Sequence, residues 1–499
     1  MTELSTIWVF GDQLNTSIGA LANASPRTHR ILMVESQAKL TSRNWHIQRA
    51  HFLITSMRRF ARELQTLGFE VDYRKSPTMR HGFQEHCAEY SPATVLATEP
   101  NSRIARKLLS ELIVTQVPSD QFLCHPTLFS EFAVRRKNLK MEDFYRWQRK
   151  RLNYLIDGDE PVEGRWNFDE FNREPPPKPG TVHWELPPIT PLDELDREVL
   201  DDLPQHLIGA SPDGLWPTSR AEALQRLDHF ITKVLPQFGP HEDAMTTNSW
   251  HLAHSLLSPL LNNGLLLPRE VCDRVESAYR NGTVPIQSAE GFMRQVIGWR
   301  EYVWNVYWQQ SKSYMSLNAL NASMPLPEMF TNPSCTKMNC VGSIVQDIHD
   351  RAWVHHIPRL MVLGNFALIA GVNPQEFKLW MWDSFVDAAE WVMVPNVIGM
   401  SLHADGGIMA TKPYAAGGAY IDRMSDYCKG CTYDRKKRTG SDACPFTTLY
   451  WDFLLRHADS FAKNHRIVTQ VRAAQKLTDC HEVQERAVEV MTLARKGQL

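Results

Sequence analysis

A chain of 499 residues is too long for one ordinary domain and points to about three units, or two large ones. Its 43% hydrophobic and 22% charged residues are those of a globular protein, which excludes disordered and fibrous classes. With 54 basic against 56 acidic side chains the net charge is −2, so no whole-chain charge advertises a nucleic-acid or membrane partner; only a local patch could do so. Ile7 to Phe10 lacks the basic lead-in of a secretory signal, and no apolar run approaches the roughly 20 residues that span a bilayer. The chain is expected to be cytoplasmic, without a membrane partner.

In chain order, Ile7-Trp8-Val9-Phe10 reads as a buried strand ending at Gly11-Asp12-Gln13, and Arg30 to Glu35 as a second. A helix carrying Phe52, Met57, Phe60 and Leu64 leads to Gly68, and two more strands follow, at Glu70 to Tyr73 and Ala93 to Ala97. Strands alternating with helices predict a parallel sheet covered on both faces. Ligands of such sheets sit beyond the carboxyl ends of the strands, which nominates Gly11, Asp12 and Glu35. No GxGxxG is present, so this is not a standard dinucleotide fingerprint. The periodicity weakens over 131–235, where Pro175 to Pro179 and Pro187-Pro188 mark a linker. From about residue 228 the chain reads almost wholly helical, with 3.6-residue periodicity at 249–267, 291–309, 344–369 and 447–465. The organisation expected is an α/β unit (1–130), a linker (131–235) and a helical unit (236–499).

Nine cysteines in such a chain argue for free thiols or metal ligands over disulfides. Cys428-Lys-Gly-Cys431 is a CxxC, and Cys444 follows directly before Pro445. Three such thiols suit an iron–sulfur or soft-metal site, and structural zinc fits the spacing equally well. The fourth ligand is Cys335 or Cys340. Between Cys431 and Cys444 the run Arg435-Lys436-Lys437-Arg438 is a solvated charged loop or, pinned on a braced loop, a phosphate contact.

Three segments of the helical half are more specific. Ser255-Leu256-Leu257-Ser258-Pro259 places hydroxyls at a helix start, suited to an anion. Arg294-Gln295-Val-Ile-Gly-Trp299-Arg300-Glu301-Tyr302 follows. The third is Trp353-Val-His355-His356-Ile-Pro-Arg359-Leu360, continuing through Trp380-Met-Trp382 and Asp387 to Trp391-Val-Met393. Together they resemble the photolyase/cryptochrome family: its TSxLSPYL phosphate cradle, its WRE(F/Y) helix and its isoalloxazine-binding segment. One extra residue stands between Gln295 and Trp299. With Cys340, Cys428, Cys431 and Cys444 the resemblance is to the bacterial iron–sulfur branch, whose four cysteines hold a [4Fe–4S] cluster. It covers nearly the whole chain.

The resemblance implies a Rossmann-like antenna domain followed by a large all-α FAD-binding domain that carries the cluster. It implies FAD held by Ser255 to Ser258, Arg294, Trp299 and the Arg359–Asp387 pair, with Met393 where the family offers a polar neighbour to flavin N5. It implies a 6,7-dimethyl-8-ribityllumazine antenna lined by Gly11, Asp12, Glu35 and Leu53. In the substrate pocket it implies His356 as proton donor with His355 beside it, Tyr414 and Tyr420 on the lesion, and contacts from Leu360, Gln295 and Asp169, the last through a divalent cation such as Mg2+. A histidine suits a held proton because it titrates near working pH. Trp380 is the candidate first electron relay, with Trp382 and Trp391 read as core. The function expected is light-driven repair of (6-4) photoproducts by a monomer acting on UV-damaged DNA. Three competitors are a blue-light photoreceptor with the same cofactors, cyclobutane-dimer repair, and an iron–sulfur DNA protein without photochemistry.

Overall fold

Five parallel strands occupy the first part of the chain: β1 (Ser5–Val9), β2 (His29–Ser36), β3 (Glu70–Ser76), β4 (Val95–Thr98) and β5 (Thr115–Val117), in the order β3-β2-β1-β4-β5. The structure is a computed structural model and describes residues 4–136 and 139–499. The two central strands are buried on both faces, and strand alternation divides them cleanly. Ile7, Val9, Ile31 and Met33 pack beneath the helix Ile47–Thr66, while Trp8, Phe10, Leu32 and Val34 pack on Phe83 and Leu109 on the other side. β1 is the first strand of both wings, so the switch point lies between β1 and β4. There Gln13 Nε2 donates to the carbonyls of Thr98 and Glu99, both at 3.2 Å. The fifth strand is short and polar enough to have escaped the sequence reading.

A Pro-rich stretch without regular structure, as expected, and the helices Glu194–Asp202 and Arg220–His229 connect the sheet to the helical half. The helical half departs from the sequence expectation in two places. Over 249–267 there is only the short helix Ser258–Asn262, because Leu252 (φ +45°) and Leu256 (φ +56°) are left-handed and break the repeat. Over 344–369 the helix Asn339–Arg351 stops at Ala352 (φ +55°), and residues 353–355 run on without helix before the chain turns helical again at His356. Both interruptions place polar residues on one cavity wall.

The segment 286–309 is continuous but irregular. α-Helix Ile286–Met293 passes into a π-helical stretch, Arg294–Arg300, and returns to α-helix at Glu301–Gln309. A π turn absorbs one additional residue without breaking a helix, which is where the extra residue between Gln295 and Trp299 goes. Further π stretches occur at Phe230–Val234, Pro358–Gly364 and Val394–Ser401.

The sheet and the helical half are joined by directed contacts. Leu14 N donates to Asn263 O (2.8 Å) and His46 N to Asp383 O (2.9 Å). The buried Arg49 guanidinium reaches the carbonyls of Trp382 and Ala388 at 2.8 and 2.9 Å. Among the described residues no helix is long and apolar enough to cross a membrane.

Candidate active site

Three of the four π stretches wall one cavity of about 900 Å³ in the helical half. π turns widen a helix locally and re-aim its side chains, and they concentrate at functional sites. The volume suits a large cofactor together with a substrate group.

On one wall, Ser255, Leu256 and Ser258 face the cavity, whereas Leu257 points into the core at 1% exposure. Ser258 Oγ donates to Asp387 Oδ2 (2.7 Å), and Arg359 grips the same carboxylate in bidentate fashion at 2.9 and 3.1 Å. Asn262 Nδ2 fixes the backbone carbonyl of Asp387 at 2.9 Å. The charged pair is therefore prebuilt, and fully supported by neighbours, as a buried ion pair must be. Met393 and Asn396 stand on the same wall; Asn396, which the sequence reading passed over, is the polar one.

Histidines adjoin these residues: His254 directly precedes Ser255, and His355 and His356 lie just before Arg359. His356 opens the helix that contains Leu360 one turn on, and both face the cavity. Asp243 Oδ1 lies 3.3 Å from His356 Nε2. Enclosure works against the charged imidazole, but the hydrogen bond and field of Asp243, aided by Glu242, outweigh it and raise the His356 pKa above the usual value. His355 is buried at 3% exposure and stacks on His254 with ring centroids 4.2 Å apart. Burial and the neighbouring imidazoles push both His355 and His254 well below the ordinary range, so both are neutral. Charge on the trio is thereby confined to His356.

Arg294 and Gln295 also line the cavity. Arg294 donates to Asp169 Oδ1 at 2.7 Å, and Arg173 pairs with the other oxygen of that carboxylate. Two guanidiniums thus neutralise Asp169. Trp299 and Tyr414 line the cavity, as does Gln295. Tyr420 does not; it lies one layer back in the helix Gly418–Met424, packed against the core. Lys412 and Arg466 at the rim were absent from the sequence reading.

Trp391 is in the core as expected, 3% exposed, and one edge of it also lines the cavity, its ring 5.0 Å from Phe122. Trp380 packs against Phe330, Phe377 and Phe385, and the Arg359 guanidinium rests on Phe385 at 4.1 Å. Trp382 packs edge-on against Trp45.

Away from this cavity, Cys340, Cys428, Cys431 and Cys444 converge on one small void. Burial first, then the other three sulfurs, drives the Cys340 thiol well up, and burial raises Cys428 to about 12. Cys335 faces Glu328 and Gly497 instead. Among the described residues, the ligand atoms of His254, His355 and His356 lie within 4.8 Å of one another. The basic run does not serve the cavity. Arg435 pairs with Asp422, Lys437 with Asp442 and Arg438 with Asp479, and none of them, nor Lys436, lines it.

At the sheet, Gly11 packs closely on Met57, whose Sδ a Cβ there would meet at 2.8 Å. Asp12 is raised by burial against the opposing field of Lys39, a partner the sequence reading missed. Leu53 packs on the core. Glu35 is not free for a ligand: Arg58 holds it at 3.0 and 3.1 Å and Tyr73 donates to it at 2.8 Å.

With this geometry stand the relatives. A family model described as deoxyribodipyrimidine photo-lyase-related protein matches residues 7–211. A protein named (6-4) photolyase from Agrobacterium fabrum is 38% identical over 476 residues, covering 92% of this chain and 93% of its own length. An uncharacterized protein of Acanthamoeba polyphaga mimivirus, R855, is 32% identical over 107 residues, covering 21% of this chain and 80% of its own. A bacterial class III photolyase structure from Agrobacterium tumefaciens superposes with a TM-score of 0.59 at 15% identity, covering 99% of this chain and 98% of that one, which is a likeness of fold. The chain belongs to the photolyase family of light-driven DNA-repair lyases.

Proposed function

We propose that this photolyase repairs (6-4) pyrimidine–pyrimidone photoproducts in DNA, with FAD seated in the 900 Å³ cavity and His356 as proton donor. The observation that carries the reading is that one cavity combines two built features: the Arg359–Asp387 pair with its serine and asparagine supports, and a protonatable imidazole held by Asp243. A lesion stacked in duplex DNA cannot reach into it, so the damaged bases must leave the helix to enter. Bound and reduced, FAD supplies the light-excited electron. The chain supplies the rest. Arg359, Asp387 and Ser258 orient the cofactor, Asn396 and Met393 stand beside it, and the apolar wall excludes water. Transfer of a proton from the His356 imidazolium, through the ring nitrogen that Asp243 does not engage, fits the (6-4) adduct, whose reversal needs a proton as well as an electron. Neutral His355 and Tyr414 serve as hydrogen-bonding neighbours.

The four cysteines are proposed to hold a [4Fe–4S] cluster whose first role is to brace the loop 428–444, since a cysteine-ligated centre adds binding energy directly to folding. A lumazine-type antenna is proposed at the carboxyl ends of β1 and β4, against Asp12 and Lys39 in place of the occupied Glu35. The units 1–130, 131–235 and 236–499 are proposed as antenna domain, linker and catalytic domain. Replacement of His356 by Ala is expected to lower repair by about 100-fold or more while leaving flavin content intact. Undiminished repair by that variant removes the proton-donor role.

A further inference from the structure

Gln295 presents to the cavity an amide whose polarity is set by a residue that the sequence reading did not single out. Its Nε2 donates to Glu242 Oε1 at 2.6 Å and to the carbonyl of Gly291, one turn earlier, at 3.3 Å. An amide nitrogen has two hydrogens, and both are spent inside the wall. Burial raises the Glu242 carboxyl to about 7; when it is ionised, it and the Gly291 carbonyl both oppose the reverse orientation, and the network then allows one orientation only. Gln295 Oε1 is left to meet whatever enters.

Glu242 is itself held in place. It is 4% exposed, Asn172 Nδ2 donates to its Oε2 at 3.2 Å, and Arg294 Nη2 stands 3.9 Å off. The helix comes close enough only because residue 291 is glycine: a Cβ there would meet Asn172 Nδ2 at 2.5 Å and Glu242 Oε2 at 3.2 Å. Asn172, Glu242 and Gln295 form one built unit, and Gln295 is the member whose amide oxygen has no partner within it.

We propose that Glu242 is a specificity-determining positioning residue, which consumes the amide donors of Gln295 so that the cavity reads its substrate through a lone acceptor and selects a base offering a ring N–H. The inference rests on the repair reading and names the substrate feature that it requires. In a (6-4) adduct the 3′ ring is a pyrimidone whose N3 carries no hydrogen, whereas the 5′ ring keeps its N3–H. The 5′ base is therefore the one read by Gln295.

The test compares two oligonucleotides, each with one thymine–thymine (6-4) adduct, one of them methylated on N3 of the 5′ base. Dark binding and light-driven repair are measured on both. The protein is expected to bind the methylated adduct about tenfold or more weakly, the cost of a buried acceptor left unpaired. In Glu242→Gln, which keeps the volume but lets both amides turn, that ratio is expected to fall to about twofold, with KM moving more than kcat. A ratio unchanged from the parent overturns the proposal. A second readout needs no substrate: with 15N-labelled glutamine, the side-chain amide signal lost in Gln295→Glu should exchange slowly in the parent protein and fast in Glu242→Gln. Fast exchange in the parent overturns the proposal even if the lesion is repaired. Slow exchange and discrimination in binding, without any repair, strike the repair reading alone.

Discussion

His356 and Asp243 form the most consequential pair of side chains in the molecule. A group whose pKa is raised holds its proton below that value and loses it as pH rises through it. Asp243 is what raises His356, so repair should persist on the alkaline side further than a free imidazole would permit. Asp243→Asn is expected to move the alkaline limb of the repair–pH profile to lower pH while leaving the plateau at acidic pH in place; an unmoved limb separates His356 from the proton step. Arg359 makes a different prediction. Its removal leaves Asp387 buried and unpaired, which costs about 3–5 kcal/mol, so Arg359→Ala should show a markedly lowered melting temperature and lose flavin together. A variant that keeps both contradicts the assigned wall.

Among the elements, the irregular helix 286–309 does most to shape the site. Gly291→Ala would push Asn172 and Glu242 aside within a packed wall, and overpacking of this kind costs about 1–3 kcal/mol. Thermal unfolding should register a drop of a few degrees, and a variant as stable as the parent would mean that the wall has slack. This helix also shows how far the sequence could be read. Its existence and its cavity-facing residues were legible from periodicity and motif. Its π stretch was visible only as one residue too many, because a hydrophobic repeat does not reveal how a helix accommodates an insertion. The strands β1 to β4 were legible from buried runs bounded by glycine and charge; β5, three residues of mixed polarity, carried no such signal. The left-handed turns at Leu252 and Leu256 were hidden for a related reason: leucines at helical spacing look helical even where the backbone reverses. The partners that decide function — Asp243 for His356, Glu242 for Gln295, Lys39 for Asp12, and Arg58 with Tyr73 for Glu35 — come from distant segments, and single-chain patterns do not encode such pairings.

At the scale of the whole molecule, two sites share one helical framework. The cysteine site lies behind the cavity, its loop carrying ion pairs rather than a free basic face. Elemental analysis of protein purified without oxygen is expected to give about four iron atoms per chain and no stoichiometric zinc, and Cys431→Ser should lose the iron together with solubility. Stoichiometric zinc would return the site to a simple structural metal. The cavity remains the centre of the proposed function, in which the Arg359–Asp387 pair orients the cofactor and His356 supplies the proton. The most direct measurement is blue-light repair of an oligonucleotide carrying one (6-4) photoproduct by the flavin-loaded, reduced protein, with a cyclobutane dimer and a dark sample alongside. Light-dependent restoration of the (6-4) site alone is the predicted result. Restoration of the cyclobutane dimer instead, or of neither lesion by protein shown to hold reduced flavin, would contradict it.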